Sequence, residues 1–194
     1  MSKSRRSGTA LERARPLDRQ KAHEIQPFSQ IIHRPIALAE SAARQSVENL
    51  NQVLADTITL RDLYKKHHWL VAGPTFYQLH LLFDKHYEEQ NELVDLLAER
   101  VQSLGGIAVG DPRHAAELTT IPRPPDGAEE VARMIDRTLQ AHEIVIEKVR
   151  AAITATEESE DWGTNDLLMG DVLRRHELQV WFIAEHVVDV PLVD

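Results

Sequence analysis

The sequence predicts an all-α fold, a single four-helix bundle, and three observations support that prediction. The chain has 194 residues, 42% of them apolar, which suits one domain with one hydrophobic core. Between breaks rich in Gly and Pro, apolar residues recur every three or four positions, as on amphipathic helices. Alternating, β-branched runs that are typical of strands do not occur in the sequence.

The breaks divide the chain into four helical segments. A Gly73-Pro74 pair separates the first two segments, and Gly105-Gly106 follows the second. The third segment opens with the pattern of a capping box, Asp126 followed by Glu129. The predicted helices span about 36–68, 75–104, 127–156 and 164–188.

The connection between the second and third segments is about twenty residues long, more than antiparallel neighbours need. We therefore expect it to run along the bundle and to contain a short helix near residues 112–118. The bundle domain is predicted to cover residues 36–190, after a basic extension over residues 1–35.

Charge is distributed unevenly along the chain. The net charge is -9, yet the first 25 residues carry seven Lys and Arg against three acidic residues. A basic arm on an acidic body can bind DNA phosphates without regard to base sequence. The candidate DNA contacts are Lys3, Arg5, Arg6, Arg13, Arg15, Arg19 and Lys21.

Composition also excludes several classes of protein. The chain has no cysteine, which rules out a disulfide framework, a thiolate metal site and a cysteine nucleophile. No apolar run approaches the length of a membrane span, and the first 25 residues lack the apolar core of a signal peptide. We expect a cytoplasmic protein without a membrane partner, associated with the nucleoid if its arm binds DNA.

The second segment carries four polar residues of metal-ligand type: His80, Asp84, Asp95 and Glu99. At 100° per residue they fall within one stripe of the helix. Asp84 and Asp95 are nevertheless about 16 Å apart along the axis, because an α-helix rises 1.5 Å per residue. One straight helix therefore cannot surround a single metal with all four.

The spacing of these residues is symmetric about the midpoint between residues 89 and 90. A two-fold axis at that point would place Asp95 and Glu99 of a second copy beside Asp84 and His80 of the first. His68 precedes the turn by about as many residues as His80 follows it, so a hairpin sets both imidazoles at one level. The predicted site combines His68, His80 and Asp84 of one chain with Asp95 and Glu99 of its partner.

Two imidazoles and three carboxylates suit Fe(II), with Zn and Mn as competitors, and a carboxylate-rich set can bridge two metal ions. Intrachain di-iron bundles use Glu-x-x-His pairs, and no histidine of this chain has Glu three residues before it. An intersubunit metal site is therefore the hypothesis that the residues favour.

Several motifs resemble the Dps family, the ferritin-like proteins of starved and oxidatively stressed bacteria. They are Lys-Lys-His-His-Trp at 65–69, His80 with Asp84, Asp-Leu-Leu-Ala-Glu-Arg at 95–100 and Leu-Gly-Gly at 104–106. The C-terminal stretches Asn-Asp-Leu-Leu at 165–168 and Glu-Leu-Gln-Val-Trp-Phe at 177–182 are similar to cyanobacterial and actinobacterial members.

The resemblance implies a ferritin-like bundle assembled from two-fold dimers into a hollow shell of twelve subunits. It implies that His68, His80, Asp84, Asp95 and Glu99 are ferroxidase ligands, and it places Trp69 beside them. Each site would take two Fe(II), which hydrogen peroxide oxidises in preference to oxygen. Fe(III) mineral would accumulate inside the shell, which protects DNA from oxidative damage, and Zn remains a possible competitor.

Other residues have weaker expectations. An acidic junction before and within the fourth segment corresponds to the family's three-fold pore, with Asp166 and Asp171 as candidate pore residues and Asp166 expected to begin the helix. His23 and His33 could form an accessory metal site with tail carboxylates. The other histidines are expected at the surface or at interfaces; they are His67, His86, His114, His142, His176 and His186.

Two alternative functions remain open from the sequence. One is a nucleoid protein that binds DNA through its basic tail and has no important turnover. The other is a shell loaded with zinc that serves a regulatory or scaffold role. The complete ligand set favours iron oxidation over both.

Overall fold

The computed structural model describes residues 24–188, and every regular element in that range is helical. This result confirms the predicted all-α bundle, including a short helix within the long crossover. None of the helices in this range combines the length and apolar character needed to cross a bilayer. The elements are α1 Glu40–Leu70, α2 Phe76–Ser103, α3 Pro112–Leu118, α4 Val131–Glu158, α5 Trp162–Leu167, a π-helical segment Leu168–Leu173 and α6 Arg174–Ala184.

The core lies along the contact of α1 with α2 and α4. Leu54 of α1, Phe83 of α2 and Val145 of α4 are each fully buried, and the π-helical segment adds Val172. Each fully buried side chain of this size contributes roughly 1.5–3 kcal/mol relative to an exposed one. Buried residues recur every three or four positions along each long helix, so one stripe of each helix faces the core.

The crossover between α2 and α4 is held against α1 by buried polar side chains. Asp56 is fully buried and accepts hydrogen bonds from the Thr119 hydroxyl at 2.8 Å and the Thr120 backbone at 2.6 Å. Asn51 donates to the carbonyl of Ile107 and accepts from the backbone N–H of Val109. The crossover therefore runs along α1, as its length predicts.

The segment before α1 is fastened to the end of α2. The backbone N–H of Ile32 donates to the carbonyl of Gly105 at 2.9 Å. Gly105 has φ +88, and a Cβ there would lie 1.9 Å from the Ile32 carbonyl oxygen, so only glycine fits. His33 is exposed in this segment. His23 and the seven candidate DNA contacts lie outside the described residues.

Two helix starts differ from the sequence predictions. Helix α1 begins at Glu40, four residues later than expected, after a stretch in which Ala37 has φ 55. Helix α4 begins at Val131, and the predicted capping box is wrong: the N-cap residue is Glu130, which makes no side-chain cap hydrogen bond. Glu129 instead accepts two hydrogen bonds from the Arg137 guanidinium, at 2.9 and 2.7 Å. This bidentate ion pair is stronger than a neutral cap.

Asp161 ties the start of α5 to α1 and α2. Its side chain is almost fully buried, pairs with Arg100 at 2.7 Å, and accepts from the Ser46 and Thr164 hydroxyls. Burial works to raise the pKa of Asp161, but these hydrogen bonds and the guanidinium outweigh it and lower that pKa. Asp161 also caps α5 by accepting from the backbone N–H of Thr164. The expectation that Asp166 begins this helix is wrong, since Asp166 lies near its end.

Candidate metal centre

The α1–α2 hairpin brings two imidazoles together. His68 lies in the last turn of α1 and His80 in the second turn of α2. Their rings stack with centroids 3.8 Å apart and an interplanar angle of 21°. Gly73, with φ +90, makes the tight turn between the helices.

Reciprocal hydrogen bonds fix the orientation of both rings. Nδ1 of His68 donates to the carbonyl of His80 at 2.8 Å, and Nδ1 of His80 donates to the carbonyl of His68 at 2.9 Å. A carbonyl only accepts, so each Nδ1 carries a proton, and the lone pair of the neutral form of each ring is on Nε2. This is the arrangement in which histidine binds a metal through Nε2 while a carbonyl holds its other nitrogen.

Asp84 lies beside this pair and is engaged by a lysine. Its Oδ1 is 2.5 Å from Nζ of Lys65 and 3.9 Å from Nδ1 of His68. The hydrogen bond from Lys65 is the main cause that lowers the pKa of the Asp84 carboxyl, and it raises the pKa of Lys65 in turn. Asp84 is therefore an ionised carboxylate that is paired with the Lys65 ammonium group.

The surface around the imidazoles is apolar and aromatic. The Phe76 ring lies 5.1 Å from the His80 ring. An exposed aromatic patch of this kind on a monomer marks an interaction site. Its large side chains are Trp69, 71% exposed, with Phe76, Tyr77 and Leu81.

Asp95 and Glu99 lie further along α2, and both are exposed. The rise of an α-helix separates Asp84 from Asp95 by about 16 Å. Within residues 24–188 of one chain, no three His, Asp or Glu side chains are close enough to share a metal ion. A single copy thus pairs His68 with His80 and places Asp84 close to His68, but these three side chains do not converge on one point, and Asp95 and Glu99 lie apart from them.

The candidate pore residues lie on the last helical stretch. Asp166 of α5 and Asp171 of the π-helical segment are both exposed, as are Glu157 and Glu158 at the end of α4. Asp161 of the same acidic junction is instead buried against Arg100. Asp161 therefore serves the fold and cannot line a pore.

Four histidines lie in the core, so the expectation of surface or interface positions is wrong for them. They occupy positions in the apolar stripes: His142, for example, lies between the buried residues Thr138 and Val145. This spacing is the signal from which the sequence could have predicted their burial. The four, each no more than 1% exposed, are His67, His86, His142 and His176.

The molecule is a four-helix bundle, the class of fold in which side chains on facing helices build ligand and metal sites. The ferritin-like domain family matches residues 47–193, most of the chain. The chain belongs to this ferritin-like family, in its Dps branch.

Relatives from actinobacteria and cyanobacteria place it in that branch. The structure of DpsC from Streptomyces coelicolor is 58% identical, covers 89% of this chain and 100% of its own, and superposes with a TM-score of 0.86. Dps from Thermosynechococcus elongatus is 32% identical, with a TM-score of 0.73 over 79% of this chain and 98% of its own. A nutrient stress-induced DNA-binding protein of Synechococcus is 35% identical over 79% of this chain and 87% of its own.

Proposed function

We propose that this protein is a ferroxidase that oxidises Fe(II) and stores the Fe(III) product as mineral inside a shell of twelve copies. The reaction would take place in the cytoplasm, and it would protect DNA by removing both iron and peroxide. Membership of the Dps branch of the ferritin-like family supports iron as the substrate.

The single observation that carries the proposal is the pair His68 and His80. Both Nδ1 atoms are engaged by backbone carbonyls, so both Nε2 lone pairs are free at one end of the hairpin. Asp84 supplies an ionised carboxylate whose Oδ1 lies 3.9 Å from Nδ1 of His68. Imidazole nitrogen with carboxylate oxygen is a donor set that suits Fe(II), and also Zn(II).

A second copy would complete the site. Asp95 and Glu99 of the partner subunit reach the imidazoles if α2 packs against its symmetry mate about a two-fold axis near residues 89 and 90. The exposed patch around Trp69 and Tyr77 is the surface that such a partner would cover. Each dimer would then contain two equivalent sites.

Two Fe(II) at one site suit hydrogen peroxide as the oxidant, because peroxide takes two electrons. Each Fe(II) gives one electron, the O–O bond breaks, and two hydroxide ions form without release of a hydroxyl radical. Lys65 would leave Asp84 as the cations arrive, because a metal ion and an ammonium group compete for the same oxygen.

Asp166 and Asp171 are proposed to attract Fe(II) toward the interior of the shell. Both are exposed and lie near the acidic end of α4, so their fields add. No described contact joins them to His68 or His80, which supports a role in iron passage and not in oxidation.

Subunit mixing tests the intersubunit site. An Asp95→Ala/Glu99→Ala variant and a His80→Ala/Asp84→Ala variant should each lose fast oxidation in an anaerobic Fe(II) load followed by peroxide. Ferric absorbance should return when the two variants are unfolded and reassembled together, because one of the two sites in a mixed dimer receives both intact halves.

Light scattering supplies the control for reassembly. Mixed shells that have formed but show no recovery of ferric absorbance would contradict the intersubunit site. A stable monomer of 22.0 kDa with full ferroxidase activity would contradict it as well.

Sequence-independent DNA binding is the second candidate function, and the basic arm is the observation that favours it. Seven cations lie among the first 25 residues, whereas the rest of the chain is acidic. Twelve copies on one shell would add their weak phosphate contacts. The name of the Synechococcus relative also records DNA binding for that protein.

Deletion of residues 1–23 tests this function separately from iron chemistry. The truncated shell should retain iron oxidation and lose DNA in gel-shift titrations. Binding by the full chain should weaken by orders of magnitude between low and physiological salt if several phosphates are contacted. Equal DNA binding by both forms would exclude the arm as the binding element.

A further inference from the structure

An apolar groove lies where the segment before α1 meets α1 and α3. Its walls are Phe28 and Ile31 of that segment, Val47 of α1 and Leu118 of α3. The Phe28 ring packs edge-on against the His114 ring, with centroids 4.5 Å apart, which fixes one wall. We call this the proximal groove, because the described part of the chain begins only four residues before Phe28.

A second apolar groove, the distal groove, lies further along α1, where α3 packs against it. Ile58 and Leu63 of α1 form one wall, and Ala115 of α3 and Ile121 form the other. Like the proximal groove, it offers apolar surface that a further apolar side chain can cover, with a gain in free energy that is proportional to the area removed from water.

The distance between the two grooves follows from their positions on α1. Residues 44–52 of α1 contribute to the proximal groove, and residues 58–66 contribute to the distal groove. The midpoints of these stretches are about 14 residues apart, which is about 21 Å because an α-helix rises 1.5 Å per residue. An extended segment that fills both grooves must therefore present two apolar side chains about 21 Å apart.

The basic arm carries two apolar side chains with this separation. Apart from Met1, alanines and one proline, Leu11 and Leu17 are the only apolar residues before Glu24. Six residues of extended chain span about 20–22 Å. Each leucine is also followed by an acidic residue and an arginine, as Leu-Glu-Arg at 11–13 and Leu-Asp-Arg at 17–19. The arm thus repeats one short pattern at the spacing of the grooves.

The rims of the grooves match the charges of this repeated pattern. Arg44 and Glu48 flank the proximal groove, and Asp62 and Lys66 flank the distal groove. Glu48 is exposed and has no ion pair with another residue of the range 24–188, and Lys66 donates to backbone carbonyls there. Each rim therefore offers one charge of each sign to the carboxylate and the guanidinium of one repeat.

The path of the chain determines which leucine can reach which groove. Leu17 precedes Phe28, a wall of the proximal groove, by eleven residues, and a segment of that length spans up to about 36 Å when extended. Leu17 is therefore within reach of the proximal groove. Leu11 lies further from the described part of the chain and pairs with the distal groove when the arm runs along α1.

We propose that residues 1–23 bind along α1 of their own subunit, with Leu17 in the proximal groove and Leu11 in the distal groove, and that DNA must displace the arm from this position. The competition with DNA rests on the proposed DNA binding, whereas the docking of the arm does not. The two grooves would then control how many of the arm's cations are available to phosphates.

Disulfide trapping tests the docking, because the chain has no cysteine of its own and introduced thiols are the only ones present. Ala10→Cys/Ala116→Cys keeps both leucines and places one thiol beside Leu11 and the other on the exposed face of α3 at the distal groove. A disulfide needs Cα atoms within about 7 Å of each other. Mild oxidation of the assembled protein should therefore link these two positions within one subunit.

Two cysteine pairs are matched controls for this reaction. Ala10→Cys/Ala151→Cys places the second thiol at an exposed alanine of α4, away from both grooves, and should react much more slowly. Ala22→Cys/Ala116→Cys tests the register, because residue 22 lies beyond the proximal groove and should not reach α3. Leu11→Ser added to the Ala10→Cys/Ala116→Cys pair should reduce its yield, whereas Ala14→Ser should not.

DNA titrations test the competition. Leu11→Ser/Leu17→Ser keeps every charge of the arm but loses both anchors, so its affinity for DNA should rise severalfold in gel shifts at one fixed salt concentration. A docked arm binds DNA only through the fraction of molecules in which it is released, which lowers the apparent affinity of the unaltered protein. Ala10→Ser/Ala14→Ser is the matched control and should bind DNA as the unaltered protein does.

The outcomes separate this inference from the proposed functions. Equal disulfide yields with Ala116→Cys and with Ala151→Cys would overturn the docking. A disulfide between two chains, seen as a doubled mass on a non-reducing denaturing gel, would assign the distal groove to the arm of a neighbouring copy and overturn docking within one subunit. Equal DNA affinity of the leucine variant and its control would overturn the competition. Absence of DNA binding by every form would contradict the DNA-binding function and the competition, while the disulfide yields would still decide the docking.

Discussion

Two groups of histidines in this molecule have the same side chains and opposite surroundings. At the end of the hairpin, His68 and His80 donate from Nδ1 to backbone carbonyls and keep Nε2 free. In the core, His142 uses both ring nitrogens, one on Tyr64 and one on His176. The first pair leaves two Nε2 atoms open to a ligand from outside, whereas both ring nitrogens of His142 already have internal partners.

Whether a histidine can bind a metal or joins a hydrogen-bond chain depends on the partner of its second ring nitrogen. A carbonyl fixes the tautomer and leaves a lone pair, so the ring can bind a metal. A neighbouring imidazole or phenol takes up that lone pair and converts the ring into part of a hydrogen-bond chain. Burial strengthens the contrast because it disfavours the charged imidazolium in the core.

The largest expected effect is on the activity of a variant at His68 and His80, the hairpin pair. A His68→Gln/His80→Gln variant should lose more than about a hundredfold in the rate of iron oxidation, since loss of a hydrogen-bonding partner behind a ligand alone costs about ten- to a hundredfold. Its urea midpoint should fall less than that of a variant in the fully buried core, because both rings are only partly buried. A variant that oxidises iron at the original rate would place the site elsewhere.

Truncation of a core histidine should instead lower stability and preserve activity. His142→Ala removes the acceptor of Tyr64 and the partner of His176, and it leaves a cavity, so the free energy of unfolding should fall by about 2–4 kcal/mol. Urea unfolding monitored by circular dichroism measures this change. Oxidation of Fe(II) at fully loaded sites should persist, and its loss in a correctly assembled shell would remove the distinction between the two groups.

The loss of stability at acidic pH is a further difference between the buried histidines and the hairpin pair. Burial lowers the pKa of His176 from 6.5 to about 3. Its contribution to stability is complete above pH 6.5 and is lost as the pH falls toward 3, because the unfolded chain binds a proton that the folded core excludes. Over this window the free energy of unfolding should fall by about 1.4 kcal/mol per pH unit for this group.

Urea midpoints at pH 7, 6 and 5 measure that slope. A His176→Leu variant should be less stable at pH 7, since His142 loses a partner, but its midpoint should depend less on pH. An unchanged pH dependence in this variant would show that His176 does not titrate on unfolding.

The smallest expected effect concerns the lysine beside the hairpin pair. Lys65→Met removes the ammonium group that engages Asp84, so anaerobic Fe(II) binding should tighten by a factor of about two to five, the range of a partly exposed ion pair. Lys66→Met is the control, because Lys66 donates to the carbonyl of Pro125 instead. Equal affinities in the two variants would mean that Lys65 does not compete with the metal.

The long helices were predictable because their periodicity reflects burial directly. The helix at Pro112–Leu118 was predictable as well, since Asp111 before a proline is a strong start signal and its side chain does cap the helix. The capping box at Asp126 and Glu129 failed because Arg137, eight residues beyond Glu129, offered that carboxylate a bidentate partner. The π-helical segment has no counterpart in the sequence pattern.

The candidate site was also predictable only in part. Ligand type and spacing sufficed to select His68, His80 and Asp84 from the sequence, and the hairpin places these three at one end of the molecule. Lys65 was not selected, because a lysine in the last turns of a helix resembles any solvated cation. The buried hydrogen-bonded group of Tyr64, His86, His142 and His176 was not predicted, because only aliphatic residues were used to define the apolar stripes.

The sequence by itself determined the helices, the long crossover, the acidic body and which residues are candidates for metal ligands, because each depends on local periodicity or composition. Only the tertiary structure decided which nitrogen of each histidine is free, which carboxylates are already paired, and that four helices place Tyr64, His86, His142 and His176 in one chain of hydrogen bonds. Those properties depend on atoms that are distant in sequence and are brought together only when the bundle packs.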